Sequence, residues 1–390
     1  MTSSVRETSS VRETSSVREI AFPDAAHRPS SRDLPSLDGL RAISIAFVLL
    51  GHGSQDSVSQ IVRILLSRLS QFGVCIFFVI SGYLITSLLW REAESREKIK
   101  LSRFYLRRTL RIFPPYYAYI ALVAFGAAIG LWVVPESARW WPAVTYSSDF
   151  FPTHFWLLSH GWSLSIEEQF YLTWPVILAT CIRFRGRSLG SELGLRIALV
   201  GMACLPLLRV LVYWLTRDGT LAEAIIFDYV AAGSAMALFQ SAGTWESGQQ
   251  RLRAVLKSRL TPISAILALA LHLMFAAGMR WTFAIGIVLS ISVEAILLAI
   301  FVAWSVRNST HLLGRLLNLR VLRIIGIGSY SLYLWQQIFF GTASPFSEQL
   351  PLQFKLLGAA FCATGSYFII ERPSLRLRAR IETRLFAEDR

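Results

Sequence analysis

An arginine and a histidine stand eleven residues apart in an apolar stretch near the N-terminus. Residues 37–53 read LDGLRAISIAFVLLGHG and contain Arg41 and His52. At about 100° per residue the two side chains share one helix face, about 16 Å apart along the axis. An ionisable group costs roughly 2.5–3.5 kcal/mol inside a bilayer, so both are functional candidates. The imidazole of His52 could act as a general base, and Asp38 could pair with Arg41. The structural alternative is that Arg41 snorkels to lipid headgroups and His52 lies at the interface.

Two adjacent carboxylates open a later apolar stretch, WSLSIEEQFYLTWP, at Glu167 and Glu168. Placing two carboxylates at that depth costs free energy, so we expect them to serve a functional site. We place them near the depth of His52, where a carboxylate could orient the imidazole as a general base. The alternative is that both acids face a water-filled vestibule.

A basic cluster in the stretch FYLRRTLRIFPPYY is suited to an anionic ligand. Its members are Arg107, Arg108 and Arg111, and the last two share a helix face. Guanidinium groups bind phosphate through paired hydrogen bonds. The following Pro114 and Pro115 predict a helix start or break. The alternative is that the cluster only sets membrane topology.

The elements that carry these groups are predicted to be membrane spans. Of the 390 residues 54% are hydrophobic and 16% charged, against about 25% charged in soluble domains. This composition argues against a soluble enzyme, and it excludes a collagen, a disordered protein and a disulfide scaffold. Stretches of the length needed to span a bilayer occur at 37–54, 70–90, 112–133, 162–182, 195–215, 221–241, 261–279, 282–305, 322–342 and 353–371. The mixed segment 134–161 is expected to stay on the outer side.

The distribution of basic residues supports this topology. With the N-terminus inside, 31 of the 39 Lys and Arg fall in predicted inside segments and five in outside loops, as the positive-inside rule requires. We therefore predict an all-α, polytopic transmembrane bundle of about ten spanning helices with both termini cytoplasmic. The net charge of +14 is explained by anionic lipid, so membrane lipids are expected partners and nucleic acid is not. The four cysteines show no metal spacing, and we predict no metal.

The predicted domain organisation has three parts. Residues 1–34 contain the repeat TSSVRE, which has too few apolar positions to fold, and are expected to form a disordered cytoplasmic tail. Residues 35–373 form the transmembrane domain. Residues 374–390 form a basic cytoplasmic tail that lies at the membrane interface.

Several of these stretches together resemble the acyltransferase-3 family of bacterial membrane acyltransferases. They are LDGLRAISIAFVLLGHG, FFVISGYLIT, FYLRRTLRIFPPYY, WSLSIEEQFYLTWP, FDYVAAGSAMAL, SYSLYLW and ERP, in the family's order from residue 37 to 373. The family motif Arg-x10-His falls on Arg41 and His52. The motif Arg-Arg-x-x-Arg falls on Arg108 and Arg111, with Arg107 completing it. The motif WSL-x-x-Glu falls on Trp162, Ser163 and Glu167. Many members have a His after SYSLYLW where this chain has Gln336, to which we assign no catalytic role.

The resemblance implies an enzyme that moves an acyl group, often acetyl, from cytoplasmic acyl-CoA to a hydroxyl of a saccharide or glycosylated acceptor. It implies no bound cofactor and a multi-pass location in the cell (inner) membrane. The expected roles are His52 as base, Glu167 orienting it, Arg41 positioning the donor and the arginine cluster holding the CoA phosphates. Supporting positions are Asp38, Trp162, Ser163 and Glu168. Some members carry a further SGNH-type domain, and we expect no transfer to such a domain within this chain.

A transporter or flippase for an anionic lipid or saccharide is the alternative function. Spans with buried Arg, His and Glu are compatible with a proton-coupled carrier. No convincing internal repeat relates the two halves of the sequence, which weakens that alternative.

Overall fold

The computed structural model describes residues 34–53, 59–217, 225–241, 246–276, 283–340 and 350–386. These belong to one compact unit, Leu34–Arg390. The predicted tail up to residue 33 lies outside the described residues. The described residues contain helices and no strand, which confirms the all-α class. Five helical stretches are long and apolar enough to cross a membrane: Gln60–Arg96, Leu101–Ala128, Trp156–Thr216, Leu289–Arg307 and Leu352–Leu385. The count of about ten spans and the cytoplasmic termini stay predictions.

The α-helices of the described chain are numbered here in chain order. They are α1 Leu37–Gly53, α2 Gln60–Arg96, α3 Leu101–Ala128, α4 Trp141–Val144, α5 Trp156–Ser159, α6 Gly161–Thr216, α7 Asp228–Ser241, α8 Glu246–Lys257, α9 Ile263–Ala276, α10 Phe283–Arg307, α11 Leu312–Leu317, α12 Arg320–Ile327, α13 Ser329–Trp335, α14 Leu352–Ser366 and α15 Arg372–Leu385. A 3-10 turn, Gln336–Ile338, follows α13, and a π-helical turn, Tyr367–Glu371, joins α14 to α15.

The proline pair does not begin or break a helix, so that prediction is wrong. Helix α3 starts at Leu101 and continues through Pro114 and Pro115 to Ala128. Two missing backbone donors do not end a helix whose stability comes mainly from tertiary packing. The arginine cluster therefore lies on the same continuous helix as the tyrosines that follow it.

The long helix α6 is a hairpin folded at Gly186. This residue has φ 73° and ψ 172°, a conformation that only glycine adopts without strain. Beyond it the chain returns, with Gly190 against the backbone of Ile182 and Gly194 against the side chain of Leu178. The two predicted spans 162–182 and 195–215 are the two arms. The stretch predicted to be a loop between them is helical on both sides of the turn.

The predicted span 322–342 is broken into short pieces. Helix α12 ends at Ile327, α13 begins at Ser329 after the single residue Gly328, and the 3-10 turn follows α13. Gly326 in α12 touches the first turn of α1, since a Cβ there would lie 1.9 Å from the carbonyl oxygen of Asp38. The break between α12 and α13 therefore lies next to the start of the helix that carries Arg41.

The segment between α3 and α6 contains only the short helices α4 and α5, consistent with the expectation that it does not span. Tyr116 donates a hydrogen bond to the Ala143 carbonyl at 2.8 Å, and Tyr119 donates to the Leu157 carbonyl at 2.7 Å. Gln169 on α6 donates to both carboxylate oxygens of Asp149, at 2.9 and 3.1 Å. Burial raises the pKa of Asp149, and the hydrogen bonds from Gln169 oppose that rise.

Helices α2 and α7 cross at two glycines. A Cβ on Gly82 would lie 2.1 Å from the carbonyl oxygen of Val230, and a Cβ on Gly233 would lie 2.2 Å from that of Val79. The small residues of the stretch FDYVAAGSAMAL let the two backbones approach this closely. The crossing holds α2, one wall of the site described below, against the centre of the bundle.

Two pairs of buried ionisable residues lie outside the site. Arg209 and Asp228 are fully buried and joined by hydrogen bonds of 2.6 and 3.0 Å. His272 Nδ1 lies 3.1 Å from the carboxylate of Glu294. Such pairs satisfy groups that would otherwise be very costly in an apolar interior. They explain why these ionisable residues can lie within apolar stretches without serving chemistry.

Replacing Gly82 by Ala is expected to destabilise the protein by about 1–3 kcal/mol, because the added methyl group overpacks the α2–α7 crossing. The matched control is Gly201→Ala in α6, where a Cβ meets no atom within 4 Å and alanine favours the helix. Thermal unfolding of the two purified variants in detergent gives their melting temperatures. Equal melting temperatures for the two variants would contradict the close crossing.

Candidate active site

One cavity collects most of the residues that the sequence singled out. It lies among α1, α2, α3, α6 and the region of α12 and α13, and encloses about 760 Å³ with its open mouth included. Six of the ten predicted site residues line it: Arg41, Arg108, Arg111, Ser163, Glu167 and Glu168. The rest of its lining is mainly aromatic and aliphatic, so the charged groups face one another across a largely apolar space.

The basic side of the cavity comes from two helices. The Arg108 guanidinium lies 5.0 Å from the centre of the Tyr171 ring and 5.9 Å from that of Phe104, a favourable cation–π arrangement. Arg41 comes from α1, and its Nη1 lies 3.9 Å from Asp38 Oδ1. The predicted Asp38–Arg41 pair is thus present, although this distance makes it a loose ion pair. Arg111 is exposed, so it offers its charge at the cavity mouth.

The acidic side of the cavity comes from α6. Glu167 Oε1 accepts a hydrogen bond of 2.6 Å from Ser81, and Tyr171 donates to the same serine hydroxyl at 3.1 Å. Glu168 Oε1 is buried and has no hydrogen-bond partner within the part of the chain that the structure describes. An unpartnered buried oxygen on the lining of a polar cavity is a natural contact for a bound molecule or water.

His52 lies beyond the cavity lining, and its predicted contact with Glu167 is replaced by another. Its Nδ1 is 3.0 Å from Gln336 Oε1, and its ring meets the Trp156 ring edge-on, with centroids 5.7 Å apart. Glu167 is instead held by Ser81. The prediction that Glu167 orients His52 is therefore corrected. The physical reason is the chain path, because α13 and its 3-10 turn come between the end of α1 and α6.

An aromatic and hydroxyl cluster forms part of one wall of the cavity. The hydroxyls of Tyr333 and Ser163 lie 2.5 Å apart, and the His160 carbonyl lies within hydrogen-bond distance of both. Because each hydroxyl has one proton, one of them donates to the carbonyl while the other donates to its neighbouring hydroxyl. The His160 ring packs edge-on against Tyr333 and Tyr119, at 5.6 and 5.2 Å. Tyr333, which lines the cavity, thus packs against a second buried imidazole. Trp162 packs against Phe78 at 6.1 Å and supports this wall.

The sequence reasoning missed four of these groups: Ser81, His160, Tyr171 and Tyr333. A signal existed for three of them. Ser81 lies in FFVISGYLIT, Tyr333 in SYSLYLW and Tyr171 in the stretch that carries the two acids. Their roles depend on contacts between helices, which spacing along one helix cannot reveal.

Arg107 lies outside the lining of the cavity, and its role in donor binding stays a prediction. It forms an ion pair with Glu382 on α15, including an Nη2–Oε2 contact of 3.3 Å. Residue 107 is one step of about 100° away from residue 108, whereas 108 and 111 share a face. The first arginine of the cluster therefore faces α15 while the other two face the cavity.

Metal-type ligands occur away from the cavity. Among the described residues one group, Cys75, His272 and Glu294, has its ligand atoms within 4.8 Å of one another. Both nitrogens of His272 are engaged there, one with Glu294 and one with the Arg68 carbonyl at 3.0 Å. The absence of a metal from the proposed chemistry stays a prediction.

The Arg107–Glu382 pair is expected to hold α15 against α3. Both side chains are partly shielded, so replacing Arg107 by Met should loosen the helix by about 1 kcal/mol or less and speed limited proteolysis within residues 372–386. Glu382→Gln should have a similar effect, and the double variant should be little worse than either single one. Unchanged cleavage of α15 in both single variants would contradict a docking role.

The chain was compared with known proteins. It matches the acyltransferase domain family over residues 34–371. It is 28% identical over 370 residues to the O-acetyltransferase OatA of Staphylococcus aureus, covering 88% of this chain and 57% of that protein. It is 27% identical over 344 residues to the peptidoglycan O-acetyltransferase OatA of Listeria monocytogenes, covering 82% and 51%. The chain thus spans about half the length of these curated relatives, and no solved structure matches it significantly. Because the match covers almost the whole described chain, the protein belongs to the acyltransferase-3 family.

Proposed function

We propose that the protein is a membrane O-acyltransferase that moves an acyl group, most simply acetyl, from acyl-CoA to a hydroxyl of a saccharide or glycosylated acceptor. One observation carries this proposal. The cavity gathers Arg41, Arg108 and Arg111 on one side and Glu167 and Glu168 on the other, and the same helix that brings Arg41 also brings His52.

The arginines are suited to the phosphates of the donor. Arg111 is exposed at the mouth and Arg108 lies further in, stacked on aromatic rings. Planar guanidinium groups bind phosphate oxygens through paired, charge-assisted hydrogen bonds. Because the predicted topology puts the arginine cluster on the cytoplasmic side, the donor would enter from the cytoplasm. Arg41, deeper on α1, would hold the donor near its reacting end.

His52 is the base in this proposal. The imidazole takes the proton of the acceptor hydroxyl while the oxygen of that hydroxyl attacks the thioester carbonyl. The C–S bond then breaks, the thiolate leaves as CoA, and the imidazolium returns the proton to that sulfur. General base help of this kind is worth about 10²- to 10⁴-fold in rate. Arg41 or a nearby hydroxyl would stabilise the charge that develops on the carbonyl oxygen.

The acceptor class is proposed from the relatives and the setting. One relative is described as a peptidoglycan O-acetyltransferase, so a cell-envelope glycan or other polysaccharide is the first acceptor to test. The proposed location is the bacterial inner membrane, with membrane lipids as neighbours and no nucleic acid. The transporter alternative is disfavoured by membership of an acyltransferase family.

Replacing His52 by Ala should lower acetyl transfer by at least about 100-fold, because the base is removed. The measurement uses protein in lipid nanodiscs, radiolabelled acetyl-CoA and an envelope-glycan extract from the producing cells. His311→Ala is the control, since this exposed histidine precedes α11 outside the cavity lining. Transfer at the wild-type rate by His52→Ala protein would remove His52 from the mechanism.

The two neighbouring arginines should differ in donor binding. Replacing Arg108 by Met should weaken CoA binding by about tenfold or more, because a charge-assisted hydrogen bond to a phosphate is lost. The same change at Arg107, which faces α15, should have a much smaller effect. Calorimetric titration with CoA gives both dissociation constants. Equal weakening in the two variants, or none at Arg108, would place the donor elsewhere.

A further inference from the structure

A chain of hydrogen bonds runs from His52 to the backbone of α5. His52 Nδ1 is 3.0 Å from Gln336 Oε1, and Gln336 Nε2 donates to Gln337 Oε1 at 3.1 Å. Gln337 Nε2 donates to the Trp156 carbonyl at 2.7 Å and to the Ser159 hydroxyl at 3.1 Å. The two glutamines are 0% and 1% exposed, so water does not compete for these bonds.

The far end of this chain fixes the direction of every bond in it. A backbone carbonyl only accepts, so Gln337 must present its NH₂ group to Trp156. The Ser159 hydroxyl gives its own proton to the same carbonyl, at 2.8 Å, and therefore accepts from Gln337 as well. The carbonyl end of Gln337 then faces the NH₂ group of Gln336. The carbonyl end of Gln336 is left for His52, whose Nδ1 must carry a proton in order to donate to it.

The anchor of the chain is itself held in place. The Trp156 indole donates to the Phe340 carbonyl at 2.6 Å, and its ring packs against His52. Tyr119 fixes the next residue of α5 through the Leu157 carbonyl, at 2.7 Å. The imidazole is therefore fixed both by its hydrogen bond and by the ring packed against it.

We propose that Gln336 is a positioning residue that holds neutral His52 in its Nδ1–H tautomer. In this tautomer Nε2 carries the only ring lone pair that can take the proton of the substrate hydroxyl. This inference rests on the proposed function of His52 as the base. It gives Gln336 a role that the sequence did not assign. The partner is a neutral amide, so it orients the ring without a negative charge that would hold the imidazolium and slow the return of the proton to the leaving thiolate.

Two substitutions at this position separate orientation from charge. Gln336→Met keeps much of the side-chain volume and removes the acceptor. This variant should lower kcat by roughly 10- to 100-fold, because misorienting the base loses only part of the rate that a general base contributes. The dissociation constant for CoA should stay unchanged. Gln336→Glu keeps an acceptor and adds a charge, so the acid limb of the pH–rate profile should move up by roughly one to three pH units. The matched control is Gln249→Met, a buried glutamine on α8 that donates to the Phe239 carbonyl.

A spectroscopic readout tests the tautomer without relying on activity. In protein labelled with ¹⁵N in its histidine rings, the resonances lost in His52→Ala protein identify His52. The wild type should show a protonated Nδ1 and an unprotonated Nε2 at neutral or higher pH, and Gln336→Met should show a mixture of tautomers. The same spectrum in both proteins would overturn the proposal.

The outcomes distinguish this proposal from the function on which it rests. If His52→Ala protein transfers acetyl at the wild-type rate, the proposed function fails. If that variant is inactive but Gln336→Met protein keeps the wild-type kcat, only the positioning role fails. If Gln336→Met protein does not fold, the pH–rate profile of Gln336→Glu decides, and an unmoved acid limb overturns the proposal.

Discussion

A charge inside an apolar helix bundle is stable only beside an opposite charge, in a polar cavity or at the end of a hydrogen-bond network. The buried ionisable groups described here meet this constraint in different ways. Arg209 and Asp228 form a closed ion pair, and His272 has Glu294 as its hydrogen-bonding partner. The charges around the cavity are left open to a space that a ligand could enter. This difference separates residues that stabilise the bundle from those that are available for chemistry.

His52 satisfies the same constraint without a charged partner. Its Nδ1 meets a buried amide, and that amide continues into a network that ends on the backbone. A carboxylate in this place would hold the imidazolium, whereas an amide fixes the ring and leaves its proton free to move. The cavity and the imidazole can then have separate tasks, with charge recognition at one and proton transfer at the other.

The sequence was sufficient for features that depend on one helix. Arg108 and Arg111 share a face three residues apart, and both line the cavity. Helical spacing similarly predicted the contact between Asp38 and Arg41. Apolar length and charge bias predicted an all-helical membrane protein, and the described residues are all-helical with five stretches able to span.

Features that depend on how helices come together could not be predicted in the same way. The partner of His52 is Gln336, which is 284 residues away in sequence, and no periodicity links them. Arg107 meets α15 because of the way that helix packs, and the hairpin at Gly186 replaces a loop because a single glycine adopts a turn that other residues avoid. The interruption after Ile327 was missed because residues 322–342 are apolar enough taken together to be predicted as one span, although Gly328, Ser329 and Ser331 follow that residue.

The central claim is that a donor held by the arginines of the cavity presents its acyl group to the imidazole of His52. The most direct test is a cryo-electron microscopy structure of the protein in lipid nanodiscs with a non-hydrolysable thioether analogue of acetyl-CoA. The account predicts phosphate oxygens within hydrogen-bond distance of Arg108 or Arg111 and the acetyl end of the analogue beside His52 Nε2. An analogue bound outside the cavity, or with its acetyl end directed away from His52, would contradict it.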